Sequence, residues 1–336
     1  MYKLGRYYQF VRFNGKLITM ATNTVGKTFT LNSGYCIPAI GLGTSRITED
    51  EMDYVIKTAL NVGYRHFDSA YSYSNHSELG NVLSKVLSSG QIKREEIFVT
   101  SKLGIHANRP EDVRESMNEC LDNLKLDYVD LFLIHLPTGV KREAKLHAYA
   151  DYHLYLDPTT DYLGTWKEME KLVHSGLAKS IGVSNFNKKQ LSDILQICTI
   201  KPAINQTECH PYLQEKELLQ FCKENNIIME AYGALGSPSI NDFYQDAFGC
   251  DFSQDEVIVN IAKRHTRSVA QILLRYQLQR GIVVLPKSSN LERLKENIDI
   301  FDFSLSSSEI GDISKLDKAK RIFHYDYARL HPHYPW

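Results

Sequence analysis

The segment IFVTSKLGIHANRPEDVRESMNECLDNLKLDYVDLFLIH, Ile97–His135, contains the unit on which the fold turns. Its ends are two short runs rich in apolar and β-branched residues, Ile97–Lys102 and Leu131–His135. Between them Val113, Met117, Cys120, Leu121 and Leu124 recur with a 3.6-residue period, while Arg114, Glu115 and Asn118 fall off that face. A strand buried on both faces, an amphipathic helix and a second buried strand make a parallel crossover.

Six further runs extend the alternation: Ala39–Gly43 and Tyr64–Asp68 before it, Ser180–Ser184, Ala203–Thr207, Ile227–Tyr232 and Ile282–Pro286 after it. Thr48 with Glu51, and Asn187 with Gln190, carry capping-box spacing, which starts a helix directly after a strand in both places. Eight such strands predict an α/β fold whose sheet closes on itself, a (β/α)8 TIM barrel, because closure leaves no exposed edge. Ahead of the first strand, runs flanking Asn32-Ser33-Gly34 predict an N-terminal β-hairpin. Gly139–Tyr162 after strand 4 and Ser237–Ser253 after strand 7 break the rhythm. Both are expected as long loops on the face where the strands' C-terminal ends emerge, which carries the active site in such barrels.

Hydrophobic residues make up 43% of the 336 and charged residues 24%, enough for a large core, and no linker divides the chain. We read residues 25–336 as one barrel domain and residues 1–24 as a disordered extension. Lys3, Arg6, Arg12 and Lys16 among aromatics, with no Asp or Glu in the first 48 residues, also fit a weak transit peptide. Met20-Ala21-Thr22 stands where a start just before the first strand would fall, so the presence of residues 1–19 in the mature chain stays open.

With 39 basic against 40 acidic residues the net charge is −1, which provides no global field for nucleic acid or an anionic membrane and points to a small-molecule partner. The six cysteines form no C-x-x-C pair, so reduced thiols and a cytoplasmic location are expected. No apolar run reaches the ~18 residues of a membrane span, and no hydrophobic repeat asks for a second copy, so a monomer is expected.

Chemistry is suggested where buried strands end in ionisable residues: Asp68 ends the second, Lys102 the third and His135 the fourth, with Tyr73 five residues past Asp68. Taken singly, His135 reads as a core histidine and Asp68 with Lys102 as a structural ion pair. Together at one rim they form a proton-donating site. A tyrosine with a pKa near 10 is a poor acid at neutral pH. A lysine ammonium about 4 Å away, in an effective dielectric near 20, favours tyrosinate by about 4 kcal/mol, roughly three pKa units before desolvation opposes it. Asp68 would keep Lys102 charged, and His135 would hydrogen-bond a substrate carbonyl. Glu208, Cys209 and His210 superficially suggest a metal site, but adjacent strand residues alternate faces, so no metal is expected.

These motifs resemble those of the aldo-keto reductase superfamily, in its aldose and aldehyde reductase branch. G-Y-R-H-F-D-S-A-Y-S-Y-S-N (Gly63–Asn75) resembles the family's catalytic motif, F-V-T-S-K-L carries Lys102, and D-L-F-L-I-H-L-P carries His135. I-G-V-S-N-F (Ile181–Phe186), P-A-I-N-Q-T-E-C-H-P-Y-L (Pro202–Leu213), E-A-Y-G-A-L-G-S-P and V-L-P-K-S-S-N-L-E-R-L-K-E-N continue the resemblance in order, from about Phe29 to the C-terminus.

The resemblance implies NADPH-dependent reduction of aldehydes or ketones, with Tyr73 as general acid. It implies that Ser184, Asn185 and Gln206 hold the nicotinamide carboxamide, that Tyr232 stacks on the ring, and that the loop bearing Leu235 and Ser237 crosses the pyrophosphate. Lys287, Ser288, Asn290 and Arg293 would bind the 2′-phosphate, with Glu296 and Asn297 at the adenine; both cations argue for NADPH over NADH. Phosphate sites of such barrels lie after strands 7 and 8, and no G-x-G-x-x-G supports a Rossmann alternative.

Departures from the branch are expected to matter for substrate choice. Ser45, Gly104 and Leu136 stand where tryptophans usually line the pocket; His76 in place of an acidic residue and Gly233 in place of a serine near the cofactor bear instead on the rate of cofactor release. Trp166 falls on a helical pattern with Met169 and Leu172 and reads as core. In the aromatic C-terminal tail, Tyr325, Tyr327 and Tyr334 are candidates to replace the missing walls. Two other classes remain as alternatives: a cofactor-binding regulatory protein on the same scaffold, and a barrel aldolase or isomerase using Lys102 as a Schiff base.

Overall fold

The computed structural model describes residues 27–146, 149–238, 240 and 249–336, together with two short strands, β1 (Gln9–Phe13) and β2 (Lys16–Met20), which pair antiparallel. The rest of residues 1–24, expected as a disordered extension, lies outside the described residues. The hairpin follows as β3 (Thr28–Thr30) and β4 (Cys36–Pro38), turning through Gly34 at φ 88°. Its Leu31 and Ile37 are buried against Phe98, Leu131, Leu133, Ala203, Ile204 and Val283, so the hairpin plugs the N-terminal end of the barrel.

The barrel runs β5 (Leu42–Gly43), α1 (Glu49–Val62), β6 (His66–Asp68), α2 (His76–Ser88), β7 (Phe98–Leu103), α3 (Val113–Leu124), β8 (Val129–Ile134) and α4 (Tyr162–His174). It continues with β9 (Ala178–Ser184), α5 (Lys188–Ile197), β10 (Ile204–Glu208), α6 (Lys216–Glu224) and β11 (Ile228–Tyr232). After β11 come two helices, α7 (Glu256–His265) and α8 (Val269–Gln279), then β12 (Val283–Val284), α9 (Leu291–Ile298) and α10 (Ser307–Ser314).

The eight strands β5 to β12 pair in chain order, all parallel. The sheet closes where Ile40 bridges Val284, with the Gly41 N–H donating to Val284 O at 2.9 Å and the Val284 N–H to Ala39 O at 3.1 Å. At this seam the ladder is shorter than the runs Ala39–Gly43 and Ile282–Pro286 suggest. Pro286 has no N–H and only accepts, from Gly43 at 3.1 Å, so pairing stops there.

Local signals act as the residue types require. Glu51 Oε2 accepts from the N–H and hydroxyl of Thr48 at 3.3 and 3.1 Å. Asn187 Oδ1 accepts from the Gln190 N–H at 2.9 Å while Gln190 Oε1 accepts from the Asn187 N–H at 3.0 Å. The apolar face of α3 is buried from Val113 to Leu124, and Trp166 is fully buried with Met169 and Leu172. Of the two long loops, Gly139–Tyr162 includes 3-10 turns at Arg142–Leu146 and Tyr149–Tyr155; within Ser237–Ser253, residues 239 and 241–248 lie outside the described residues.

Helices α2 and α3 meet at Gly80, where an added Cβ would sit 2.2 Å from the Asn123 carbonyl oxygen and 2.7 Å from the Leu124 carbonyl carbon. Alanine is the better helix former by about 1 kcal/mol, yet overpacking against backbone costs about 1–3 kcal/mol. Gly80→Ala is therefore expected to lower the urea midpoint; a raised midpoint would mean that propensity outweighs the contact.

Candidate active site

Every side chain implicated in chemistry leaves the barrel at the C-terminal ends of its strands. Asp68 closes β6 and lies opposite Thr100 of β7, two residues before Lys102; residues two apart share a sheet face, so the carboxylate and the ammonium meet. Lys102 Nζ donates to Asp68 Oδ1 at 2.7 Å and Oδ2 at 2.8 Å, to Ser69 O at 3.0 Å and to Tyr73 Oη at 3.2 Å. Tyr73 sits on a single 3-10 turn, Tyr71–Tyr73, and its ring stands edge-on to His135, centroids 6.0 Å apart.

His135 follows β8. Burial first, and the Lys102 charge second, hold its pKa down at about 3, so the ring is neutral. The same two causes depress His66 to about 3 and His76 to about 4. His76 is buried against Ser101 Oγ at 3.0 Å.

The residues expected around the nicotinamide lie beside this group. Ser184 ends β9, and Asn185 follows at φ 63°, a left-handed conformation that asparagine tolerates. Asn185 Nδ2 donates to His135 O at 3.0 Å and to Ser184 Oγ at 3.1 Å, and its Oδ1 accepts from the Tyr232 hydroxyl at 2.7 Å. Gln206, buried in β10, donates through Nε2 to Asp68 Oδ2 across the barrel at 2.8 Å and to Glu230 Oε2 on the neighbouring β11 at 2.7 Å.

Leu235 and Ser237 lie on the loop after β11; Leu235 packs on the cluster that holds Cys250, whose N–H donates to Gly236 O at 2.7 Å, and Ser237 O accepts from the Ile240 N–H at 3.0 Å. The expected phosphate group is assembled around the start of α9: Asn290 caps the helix by accepting from the Arg293 N–H at 3.0 Å, and its own N–H donates to the buried Ser288 Oγ at 3.0 Å. Lys287 and Arg293 are exposed, Glu296 is half-buried and Asn297 buried further along α9.

Sequence reading missed several neighbours. Burial lowers the Lys287 pKa, the Glu51 charge opposes the shift, and the nearby charge of Arg46 adds to it by less. Glu51, read only as a helix cap, therefore also faces this group, and Ser289 hydrogen-bonds it. Ser72 Oγ lies 3.4 Å from His135 Nδ1. Glu230 had one visible signal, an acid inside the otherwise apolar run I-I-M-E-A-Y.

The walls differ from a tryptophan-lined pocket in a specific way. A Cβ on Gly104 would sit 2.4 Å from His106 Cε1 and 3.1 Å from Tyr71 Cδ1, so the His106 ring, 4.5 Å from that of Tyr71, fills the room a side chain at 104 would need. Leu136 packs with Ile105, Val140 and Ala144 beneath Tyr152, Tyr155, Tyr325 and Tyr327. Tyr325 stacks on Trp336 at 5.8 Å and its hydroxyl is 3.5 Å from that of Tyr232. Tyr334 lies further out, edge-on to Trp336 and donating to His324 O at 2.6 Å.

Glu208 holds this tail, accepting from the Ile322 N–H at 2.8 Å and the Phe323 N–H at 2.9 Å as well as bonding His210 Nε2 at 2.9 Å. Among the described residues no cluster of His, Cys, Asp and Glu is arranged to hold a metal ion.

A closed barrel with Asp, Tyr, Lys and His converging on its C-terminal rim defines a class, and comparison supplies the family. The chain belongs to the aldo/keto reductase family, whose profile matches residues 39–318, and with it to the NADP-dependent oxidoreductases. It is 43% identical over 311 residues to a horse aldo-keto reductase family 1 member C23-like protein, covering 91% of this chain and 96% of that one. Rabbit prostaglandin-E(2) 9-reductase is likewise 43% identical over 91% of this chain and 96% of its own.

Among solved structures, aldose reductase from Schistosoma japonicum superposes with a TM-score of 0.84 at 40% identity, covering 93% of this chain and 99% of that chain. A Bombyx mori aldo-keto reductase in complex with NADP gives 0.84 at 34% identity over 92% and 98%.

The neutral histidines set an acid limit. Because His66, His76 and His135 are depressed below the ordinary value, the unfolded chain binds more protons than the native one between pH 6.5 and about 3–4. Their stabilisation is complete above pH 6.5 and is lost as pH falls through that window. Tm is expected to drop across it, and His76→Gln, which can still reach Ser101, to drop less steeply; parallel slopes would remove His76 as a contributor.

Proposed function

We propose that the protein reduces an aldehyde or ketone of a small molecule to an alcohol, reversibly and with NADPH, using Tyr73 as general acid. The observation that carries this reading is the buried ammonium of Lys102, which touches both the Asp68 carboxylate and the Tyr73 hydroxyl. A positive charge at hydrogen-bond distance favours tyrosinate and so makes the phenol a stronger acid. Asp68, with both oxygens on the ammonium, holds Lys102 aimed at the phenol. His135, neutral, donates a ring N–H to the substrate carbonyl and orients it toward Tyr73 Oη.

NADPH, when bound, supplies the hydride. The residues present fit it: Ser184, Asn185 and Gln206 offer amide and hydroxyl partners for a carboxamide, and Tyr232 a ring beside them. Leu235 and Ser237 lie on the loop that would cross the pyrophosphate. Lys287, Arg293 and Arg46 gather positive charge beside Ser288, Asn290 and the N-terminus of α9, a donor set suited to a dianionic phosphate, with Glu296 and Asn297 in reach of an adenine.

The names of relatives, among them prostaglandin-E(2) 9-reductase and prostaglandin F synthase 1, support carbonyl reduction, and the NADP complex of a structural neighbour supports the cofactor. We read residues 25–336 as one domain, monomeric and cytoplasmic; no described helix is long and apolar enough to cross a membrane.

Fluorescence titration with NADPH and NADH, followed by NADPH oxidation with a panel of carbonyl compounds, tests the reading. Tyr73→Phe is expected to lower turnover by at least about 100-fold, the usual scale of a general acid, with NADPH affinity unchanged. Retained turnover would refute the assignment. Arg293→Met is expected to weaken NADPH about tenfold or more while leaving NADH binding alone, the loss of one charge-assisted contact to phosphate. Equal effects on both cofactors would dissociate Arg293 from the 2′-phosphate.

A further inference from the structure

Behind the catalytic group lies a second carboxyl that the mechanism above does not use. Glu230, in the middle of β11, is fully buried. Its Oε2 accepts from Gln206 Nε2 at 2.7 Å; its Oε1 has no hydrogen-bond partner among the described residues and lies 3.9 Å from His66 Nε2. The charged and titratable groups facing it are Asp68 and His66 from β6 and Lys102 from β7; β10 brings Gln206, and β12 brings only Val283 and Val284.

One atom, Gln206 Nε2, touches both carboxyls. Both Asp68 oxygens accept from Lys102, so the Gln206 atom beside Oδ2 must be the donor; an amide oxygen there would face another acceptor. Both N–H bonds are then committed, one to Asp68 and one to Glu230, and the amide oxygen is left as an acceptor for the occupant of the site.

We infer that Glu230 is a positioning residue: it clamps the Gln206 amide in one orientation, so that a nicotinamide carboxamide is met by an acceptor oxygen, and it lies one side chain away from the Asp68–Lys102 pair. The inference rests on the reading that Gln206 meets the carboxamide. Burial first, and the Asp68 charge second, raise Glu230 to about 8, against the Gln206 hydrogen bond and the Lys102 charge, so at neutral pH it holds its proton. Its ionisation above that value places a second negative charge beside the Asp68–Lys102 pair, where it weakens the field that Lys102 exerts on Tyr73.

Two variants separate the roles. Glu230→Leu removes the acceptor and is expected to weaken NADPH binding about tenfold, the size of one lost hydrogen bond. Glu230→Gln keeps an oxygen for Gln206 and is expected to restore wild-type affinity. It should also lose an ionisation near pH 8 from the kcat profile, together with the infrared carbonyl band of a protonated carboxyl that the wild type loses on raising pH. Wild-type NADPH affinity in folded Glu230→Leu, or a kcat profile and infrared titration unchanged in Glu230→Gln, would overturn the inference. Wild-type protein that binds no NADPH would instead overturn the functional reading, a distinct result because the infrared titration needs no cofactor.

Discussion

An ammonium ion sealed inside a barrel is the constraint around which this molecule is organised. Lys102 is 1% exposed, and an ammonium removed from water costs several kcal/mol unless charge and hydrogen bonds compensate. Two carboxylate oxygens, a carbonyl and a phenol surround it. None of these reaches it without the parallel pairing of β6 and β7 and the turn that brings Tyr73 back over the rim. The sheet must therefore close to shield the charge, and the charge makes the rim reactive.

The same ion sets the character of its neighbours. His66, His76 and His135 are all pushed toward neutrality by burial and, next, by the Lys102 charge, so three imidazoles near a buried carboxylate act as hydrogen-bonding groups and not as cations. Across the barrel, Gln206 ties β10 to Asp68, and Glu230 ties β11 to Gln206. The interior at this level is a polar layer above the hydrophobic plug formed with the hairpin, which concentrates electrostatics at the mouth and packing at the base.

Substrate access is shaped by elements outside the barrel. The tail is fastened to Glu208 near its start, to Asp157 and Thr160 through His331, and to α5 through Asn187 and Gln190 near its end. Between these anchors Tyr325 and Tyr327 come down beside Leu136. Glycine at 104 is coupled to His106: the imidazole lies where any side chain on residue 104 would have to pass.

Strand and helix order, the hairpin, both capping boxes and the four rim residues were legible in the chain because each rests on periodicity or on residues close in sequence: alternation of buried runs, an apolar stripe on α3, ionisable residues where buried strands end. Lys287 and Arg293 flank the start of one helix, so their nearness to Ser288 and Asn290 follows from local sequence. Arg46, Glu51 and Ser289 beside Lys287, the Gln206 bridge to Asp68, the orphaned oxygen of Glu230 and the His106 ring over Gly104 were not legible. Each depends on how far apart two distant segments come to rest once the barrel closes, and on how much water that closure removes. Local pattern determines which residues face inward; only the packed tertiary structure decides which of them touch, and in so low a dielectric touching is what sets charge and protonation.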